Sequence, residues 1–291
     1  MDNFNRGKFF CRYAPSLGDL EGTPQEVWGT DVYNRKKHRN EPTVFFGLYD
    51  MRDYVSLWNH RGKRWVLWCG SDITNLKNNF LLNDGKLKKI SKIFSGFPRM
   101  LDRWLSHNVE HWVENEAEKF ALLGLGIKSK ICPSFMGNKY AYEITYEWRK
   151  DPQVYLSASN GRQKEYGWEI VENIADKLPM ITFHLYGANW ITHKKNVIIH
   201  GRVPKEQMND EVKKMQCGLR LNEFDGFSEV TAKSILWGQY PITKIPNNGI
   251  QYFKDEDELV AQLRKLTIMY KPNTDVRNYY LKRFNSFPWV C

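Results

Sequence analysis

The chain of 291 residues contains no apolar run of the roughly 20 residues that a membrane-crossing helix needs. Its first residues, Met1-Asp2-Asn3-Phe4-Asn5, are polar and lack the basic-then-apolar layout of a secretion signal. The expectation is a protein made and kept in the cytoplasm, or in the host cytoplasm if the chain is viral. Cysteine is scarce. The five residues at 11, 69, 132, 217 and 291 are odd in number and far apart, with no CxxC pair, so neither a disulfide framework nor a zinc knuckle is indicated. Cys11, Cys69 and Cys217 lie in or beside apolar runs, where free thiols behave as small core residues. There is no short repeat and no low-complexity segment.

What is present is a globular composition, 42% apolar and 14% aromatic, long enough for two domains. The net charge of +10 is unevenly spread: residues 35–103 alone hold 15 basic and 6 acidic side chains, a balance of +9. A basic field on one half favours a polyanionic partner such as nucleic acid or an anionic membrane; a solvated basic surface is the plain alternative.

Apolar runs and turn residues alternate along the chain. Strands are expected at 8–13, 43–47, 65–69 and 130–132. Helices are expected from Thr23 to about Lys37, over 51–59, and from Asn115 to Leu123, with the stretch between Asp72 and Leu105 weakly periodic. Thr23-Pro24-Gln25-Glu26 has the layout of a capping box with proline in the first turn. In the second half, strands at 154–158, 181–186, 197–200, 217–221 and 241–244 alternate with helices at 165–177, 205–216, 228–237, 255–266 and 274–284. This alternation predicts an α/β protein with parallel sheets covered by helices on both faces. The polar stretch ending in Asp151-Pro152 marks a boundary, giving domains 1–147 and 148–272 and a terminal helix within 273–291.

The most informative stretch runs from Leu221 to Ile242. A strand ends in Asp225-Gly226-Phe227-Ser228, a helix begins at once, and Gly238 and Pro241 lead into the next strand. Backbone amides at a helix N-terminus, together with the helix dipole, favour a diphosphate, and Gly226 allows close approach; an ordinary capped strand-turn-helix is the plain reading. This stretch resembles the donor-site signature of GT-B glycosyltransferases of the retaining, family-4-like kind, in which an acid-Gly-Phe-Gly turn opens a helix that ends in Gly-x-Pro-Val. The family has glutamate where this chain has Asp225, and a second glutamate, which holds the nucleotide ribose, where this chain has Lys233. Lys233 could meet a phosphate instead, with Glu229 as the acid near the helix start. In the loop after residue 158, Asn160-Gly161-Arg162-Gln163-Lys164 resembles the family's Gly-Arg and Lys-Gly cations that clamp the donor diphosphate; Arg162 matches, and Lys164 is displaced. Leu185-Tyr186-Gly187, the Gly201-Arg202-Val203-Pro204 turn and the final helix with Trp289 agree with the same frame.

The first half resembles the family more loosely. Trp65–Trp68 followed by Gly70-Ser71-Asp72 is similar to the family's strand ending in His-Gly-Ser-Asp, with Cys69 in place of the histidine. Asp72 is the candidate catalytic residue on the acceptor side, as base or orienting acid; a helix-capping aspartate is the plain reading. The loop around Gly18 takes the place of the family's loop where acceptor and donor meet. One decoy stands out: His107-Asn108-Val109-Glu110-His111 spells a zinc-protease pattern, but Trp112-Val113 continues it as a strand, and no metal site is expected.

The basic stretch groups Lys36, Lys37 and Arg39, then Arg61 and Arg64, then 86–89, with Tyr33, Trp58, Trp65 and Phe94 interleaved. Positive charge tracks a phosphate backbone and aromatics hold exposed bases, so these cations are the candidate acceptor-binding residues. Residues 87–97 could instead lie on a membrane surface.

The resemblance implies two Rossmann-like domains facing a cleft, with the C-terminal helix crossing back to the first. It implies retaining transfer of a sugar from a nucleoside-diphosphate sugar, UDP-linked by expectation, as donor substrate and with no bound cofactor or metal. The acceptor is expected to be a hydroxylated base in DNA, a base an enzyme must flip out of the duplex. A membrane lipid or cell-surface glycan is the second acceptor, and a catalytically degenerate binding module the third reading, for which Cys69 and Lys233 argue.

Overall fold

The structure is a computed structural model that describes residues 8–17, 20–79 and 97–290. Gly18, Lys86, Lys88, Lys89 and Phe94, and nearly all of 87–97, lie outside the described residues. The chain forms two compact units. The first comprises Met1–Asn138, Phe224–Phe227 and Phe284–Cys291; the second comprises Lys139–Glu223 and Ser228–Arg283.

The first unit is built on β1 (Phe10–Tyr13), β2 (Asp31–Val32), β3 (Thr43–Phe46), β4 (Arg64–Leu67), β5 (Glu110–Val113) and β6 (Ser129–Ile131), all parallel, in the order β2-β1-β3-β4-β5-β6. Around the sheet are α1 (Pro24–Trp28), α2 (Met51–Asn59), α3 (Ser71–Lys77), α4 (Phe97–Asn108) and α5 (Glu116–Leu123). The continuous apolar runs of β3 and β4 are explained by cover on both faces. Phe45 and Val66 enter one cluster with Tyr54, Leu57, Leu105 and Leu122; Val44, Phe46, Trp65 and Leu67 enter another with Trp28, Trp112, Phe287 and Trp289.

The expected helix from Thr23 to Lys37 is a single turn and a half. Its capping box forms as read: the Glu26 amide donates to Thr23 Oγ1 at 3.3 Å and the Thr23 amide to Glu26 Oε2 at 2.8 Å. Gly29 then turns left-handed at φ 65°, its amide closing on Gln25, and β2 follows. Beyond β2, the Asn34 side chain accepts from the amides of Lys36 and Lys37, which bends the chain into a turn. The two-residue strand β2 is too short to show alternation. The weakly periodic stretch before Leu105 contains α4, which buries Leu101 and Leu105.

The second unit contains β7 (Gln153–Ser157), β8 (Thr182–Tyr186), β9 (Val197–Gly201), β10 (Cys217–Arg220), β11 (Ile242–Thr243) and β12 (Gln251–Tyr252), again all parallel, in the order β12-β11-β10-β7-β8-β9. Its helices are α6 (Trp168–Ile174), α7 (Lys205–Val212), α8 (Glu229–Leu236), α9 (Glu256–Lys265) and α10 (Thr274–Arg283). Val154, Leu156, Phe183, Leu185, Cys217 and Leu219 pack on one face of the sheet, with Tyr155 and Tyr186 on the other. The expected helix at 165–177 is α6 followed by a 3-10 turn, because Gly167, left-handed at φ 79°, starts it late. The last helix ends at Arg283. Asn285 is left-handed at φ 59°, and its side-chain amide pairs with both the N–H and the C=O of Phe135 in the first unit's sequence, to which residues from Phe284 onward belong.

In each sheet the chain reverses direction of winding at one point: between β1 and β3, and between β7 and β10. Loops leaving the carboxyl ends of such strand pairs diverge and open a crevice, where ligands of doubly wound sheets bind.

Candidate functional site

In the second unit, the loops leaving β7 and β10 carry the expected donor residues. Gly161 is left-handed at φ 82°, turning the chain so that Asn160 and Arg162 are exposed after β7. Arg162 forks onto Glu165, with Nε 2.7 Å from Oε2. That contact holds the Glu165 carboxyl below the usual range. Lys164 Nζ lies 2.7 Å from Glu169, whose carboxylate raises the ammonium's pKa. Between Arg162 and the end of β10 lies the ring of Tyr166: the Arg162 guanidinium is 5.1 Å from its centre and that of Arg220 4.2 Å. Arg220 was not among the expected site residues. Its one sequence signal is its place as the last residue of a parallel strand.

After β10, Asn222 is buried, and its Oδ1 has no hydrogen-bond partner among the described residues. Ser228 caps α8, accepting from the Val230 amide at 3.2 Å. Lys233, on the same helix, is almost wholly buried. Its Nζ donates to Asn209 Oδ1 at 3.1 Å and stands 3.9 Å from Glu229. Glu229 and Lys233 are therefore one ion pair between successive turns of the helix.

The turn preceding Ser228 belongs to the first unit. The Gly226 amide donates to the carboxylate of Asp225 at 3.0 Å, and the Phe227 amide to Glu114 Oε2 at 2.7 Å. The Asp225 carbonyl accepts from Asn115 Nδ2 at 2.8 Å. Two of the amides expected to face a diphosphate are thus engaged within the protein.

Asp72, at the start of α3, has no exposed surface. Its carboxylate accepts from the amides of Leu48 (3.2 Å) and Cys69 (3.0 Å), tying together the loops that leave β3 and β4. Burial pushes its pKa up to about 7, against the opposing effect of these amides. Glu114, just beyond β5, is also pushed up to about 7 by burial, and Glu118 is raised well above the usual range by burial and by Glu114. Burial likewise raises the Cys69 thiol, so it is no ready nucleophile. Glu114 and Glu118 escaped sequence reading because a helix start rich in acids looks like ordinary dipole compensation.

Of the expected acceptor-side cations, Arg39 and Arg61 meet through their main chains, while the amides of Lys36 and Lys37 turn on Asn34. The Arg61 amide donates to the Arg39 carbonyl at 2.8 Å, and the Arg64 guanidinium lies 5.5 Å from the Trp104 ring. Arg39 and Arg61 stand before β3 and β4, and Arg64 opens β4, at the amino ends of strands whose carboxyl ends lead to Asp72. Four-residue strands put about 13 Å between the two edges.

The zinc-protease pattern is split between two elements. His107 lies on α4, while His111 lies on β5, buried, accepting from Trp68 Nε1 at 3.1 Å and donating to the Leu105 carbonyl at 3.1 Å. Among the described residues no group of three or more His, Cys, Asp or Glu side chains is placed to hold a metal ion. No helix among them is long and apolar enough to cross a membrane.

Two parallel six-stranded Rossmann-like sheets define the GT-B architecture, and solved structures share it. Over 85% of this chain, TarM is similar at 12% identity and a TM-score of 0.54; sucrose-phosphate synthase from Thermosynechococcus elongatus is similar over 84% at 11% identity and 0.57. HepE from Anabaena, in complex with UDP-glucose, is similar over 95% of this chain and 94% of its own at 10% identity and 0.51. The chain spans 53% of TarM and 69% of the synthase. No protein-family model and no curated protein sequence matches it.

Proposed function

We propose that the protein is a retaining glycosyltransferase that moves a sugar from a nucleoside-diphosphate sugar, UDP-linked, to an acceptor hydroxyl. The observation that carries this reading is the cluster of Arg162, Tyr166 and Arg220 at the β7–β10 winding reversal, the position where doubly wound sheets bind nucleotides. It is supported by UDP-glucose in a structure of the same fold and by the motif around Asp225. Residues 148–272 hold the donor and residues 1–147 face the acceptor. Arg162, Lys164 and Arg220, with the amino end of α8, stabilise charge developing on the departing diphosphate. Asp225 or Glu229 reads sugar hydroxyls, and the buried Asp72 orients the loops of the acceptor side.

For the acceptor, the proposal is a hydroxylated base in DNA, with Lys36, Lys37, Arg39, Arg61 and Arg64 gripping phosphates. A lipid or surface glycan is the second reading. What favours it is an apolar pocket of about 190 Å³ lined by Met51, Tyr54, Val55, Trp58, Met100, Leu101 and Trp104.

The test is release of nucleoside diphosphate from a panel of sugar nucleotides, with and without hydroxymethylated duplex DNA. DNA-stimulated release that Arg162→Ala abolishes supports the proposal. Release indifferent to DNA moves the acceptor to lipid or glycan. No release with any donor overturns the enzymatic reading in favour of a binding module.

A further inference from the structure

Glu114 and Asn115 are consecutive residues at the carboxyl end of β5, and between them they grip both sides of Gly226. Asn115 Nδ2 holds the Asp225 carbonyl at 2.8 Å, and Glu114 Oε2 receives the Phe227 amide at 2.7 Å. The grip is itself fixed from behind. Glu114 Oε1 accepts from the Ser134 amide at 3.2 Å and from the Ser134 hydroxyl, while Asn115 Oδ1 accepts from the Glu118 amide at 3.0 Å as the cap of α5. The fit leaves no slack: a Cβ on Gly226 would lie 2.1 Å from Glu114 Oε2, and one on Gly70 would lie 2.8 Å from the Gly226 nitrogen.

A buried carboxylate is a costly way to fill space, since an apolar side chain of similar volume packs at least as well. A carboxylate fixed by three donors, one of them on the turn, does something a leucine cannot: it sets where that turn lies. We propose that Glu114 and Asn115 are positioning residues for the donor turn, holding Asp225-Gly226-Phe227 in register so that Asp225 is presented to the sugar. This rests on the donor reading above. Neither residue touches the donor; both act through the turn.

The experiment compares the wild type with Glu114→Ala and Glu114→Gln by three readouts: hydrogen exchange of the Phe227 amide, UDP affinity by calorimetry, and the split between KM and kcat for the sugar nucleotide. Glu114→Ala is expected to speed Phe227 exchange about tenfold or more and to raise the donor KM about tenfold, with a smaller change in kcat. Glu114→Gln keeps a carbonyl oxygen for the Phe227 amide and is expected to recover most of both. Should Glu114→Ala fail to fold, Gly226→Ala leaves Glu114 in place, pushes the turn off it, and is expected to give the same changes. A folded Glu114→Ala or Gly226→Ala protein with unchanged Phe227 exchange overturns the grip, and unchanged donor KM and UDP affinity overturn its role in positioning. If the wild type binds neither UDP nor any sugar nucleotide, the donor reading fails and the positioning role with it, while exchange alone decides whether the grip exists.

Discussion

The guanidinium of Arg220, the last residue of β10, lies 4.2 Å from the centre of the Tyr166 ring, and Arg162 approaches the same ring at 5.1 Å. Two cations, one on a loop and one at the end of a strand, thus approach one aromatic ring. Arg220→Ala is expected to weaken nucleoside-diphosphate binding about tenfold, the loss of roughly 1.4 kcal/mol. Arg162→Ala should cost at least as much, and Arg220→Lys should recover only part, because ammonium neither stacks nor forks. Calorimetry with UDP decides it; unchanged affinity in both alanine variants would remove this cluster from the site.

Gly70 is left-handed at φ 82°, and any Cβ there would meet the Gly226 nitrogen at 2.8 Å. Gly70→Ala therefore suffers twice, from backbone strain and from a contact with main chain that cannot rotate away. A loss of about 2–4 kcal/mol is expected, read from denaturant unfolding. By contrast, Gly126, also left-handed at φ 78°, has open space around its Cβ position. Gly126→Ala should cost only the strain, about 1 kcal/mol.

The stability contributed by Asp72 and Glu114 should fall between pH 6.5 and 7.5. Asp72 and Glu114 titrate near 7 in the folded protein, against 3.8 and 4.5 as ordinary carboxyls. A raised carboxyl pKa contributes stability that is complete below the unfolded value and lost as pH rises through the folded one. His60, His111 and His184, lowered by burial to about 4 from 6.5, work the other way, and their contribution is lost as pH falls from 6.5 toward 4. In the unfolded chain these histidines still lose protons above 6.5, which offsets much of the acids' loss across the window. The acids' own share, about 1 kcal/mol in all, is read as the difference in unfolding free energy between the wild type and the Asp72→Asn, Glu114→Gln double variant, and that difference should shrink from pH 6.5 to 7.5. A difference that is flat or rising there would contradict the buried acids' protonation.

Lys233→Glu restores the acid of the resembled motif, yet it should not tighten donor binding. Lys233 Nζ is 3.9 Å from Glu229 and bonded to Asn209 at 3.1 Å, so the substitution sets two carboxylates side by side in a nearly closed site. A destabilisation of about 3 kcal/mol is expected by denaturant unfolding. Tighter UDP binding by the variant would mean that this position reaches the ribose after all.

Phe287 is fully buried, stacked on Trp289 at 4.5 Å and edge-on to Trp28 and Trp112 at 5.7 Å each. Phe287→Ala should cost about 3–5 kcal/mol in unfolding free energy. Ending the chain at Arg283 should leave the first unit unable to fold cooperatively, which calorimetry would show as loss of a transition.

The loops proposed to hold the donor were legible as loops because their signals are local. A strand, an acid-Gly-Phe-Ser turn and a helix are contiguous in sequence, and Arg162 sits directly after the strand that opens the second half. The helix from Thr23 was misjudged in length because helix periodicity continued past Gly29, where a left-handed residue and the pairing of β2 with β1 overruled it. The cations at 36–39 and 61–64 were legible only as runs of charge. That Arg39, Arg61 and Arg64 stand by the amino ends of β3 and β4, away from Asp72, depends on strand direction and could not be seen in charge counts.

Alternation of apolar runs with capped helices determined, from the sequence alone, that this chain builds parallel sheets covered on both faces, since periodicity and capping act over a few residues. Which residues meet was decided only by the tertiary structure. Glu114 reaches Phe227 across 113 positions because the turn at 224–227 joins the first unit, and Arg220 meets Tyr166 because β10 lies beside β7. Such pairings arise from strand order, and strand order follows from burying all the apolar faces at once, which no short stretch of sequence records.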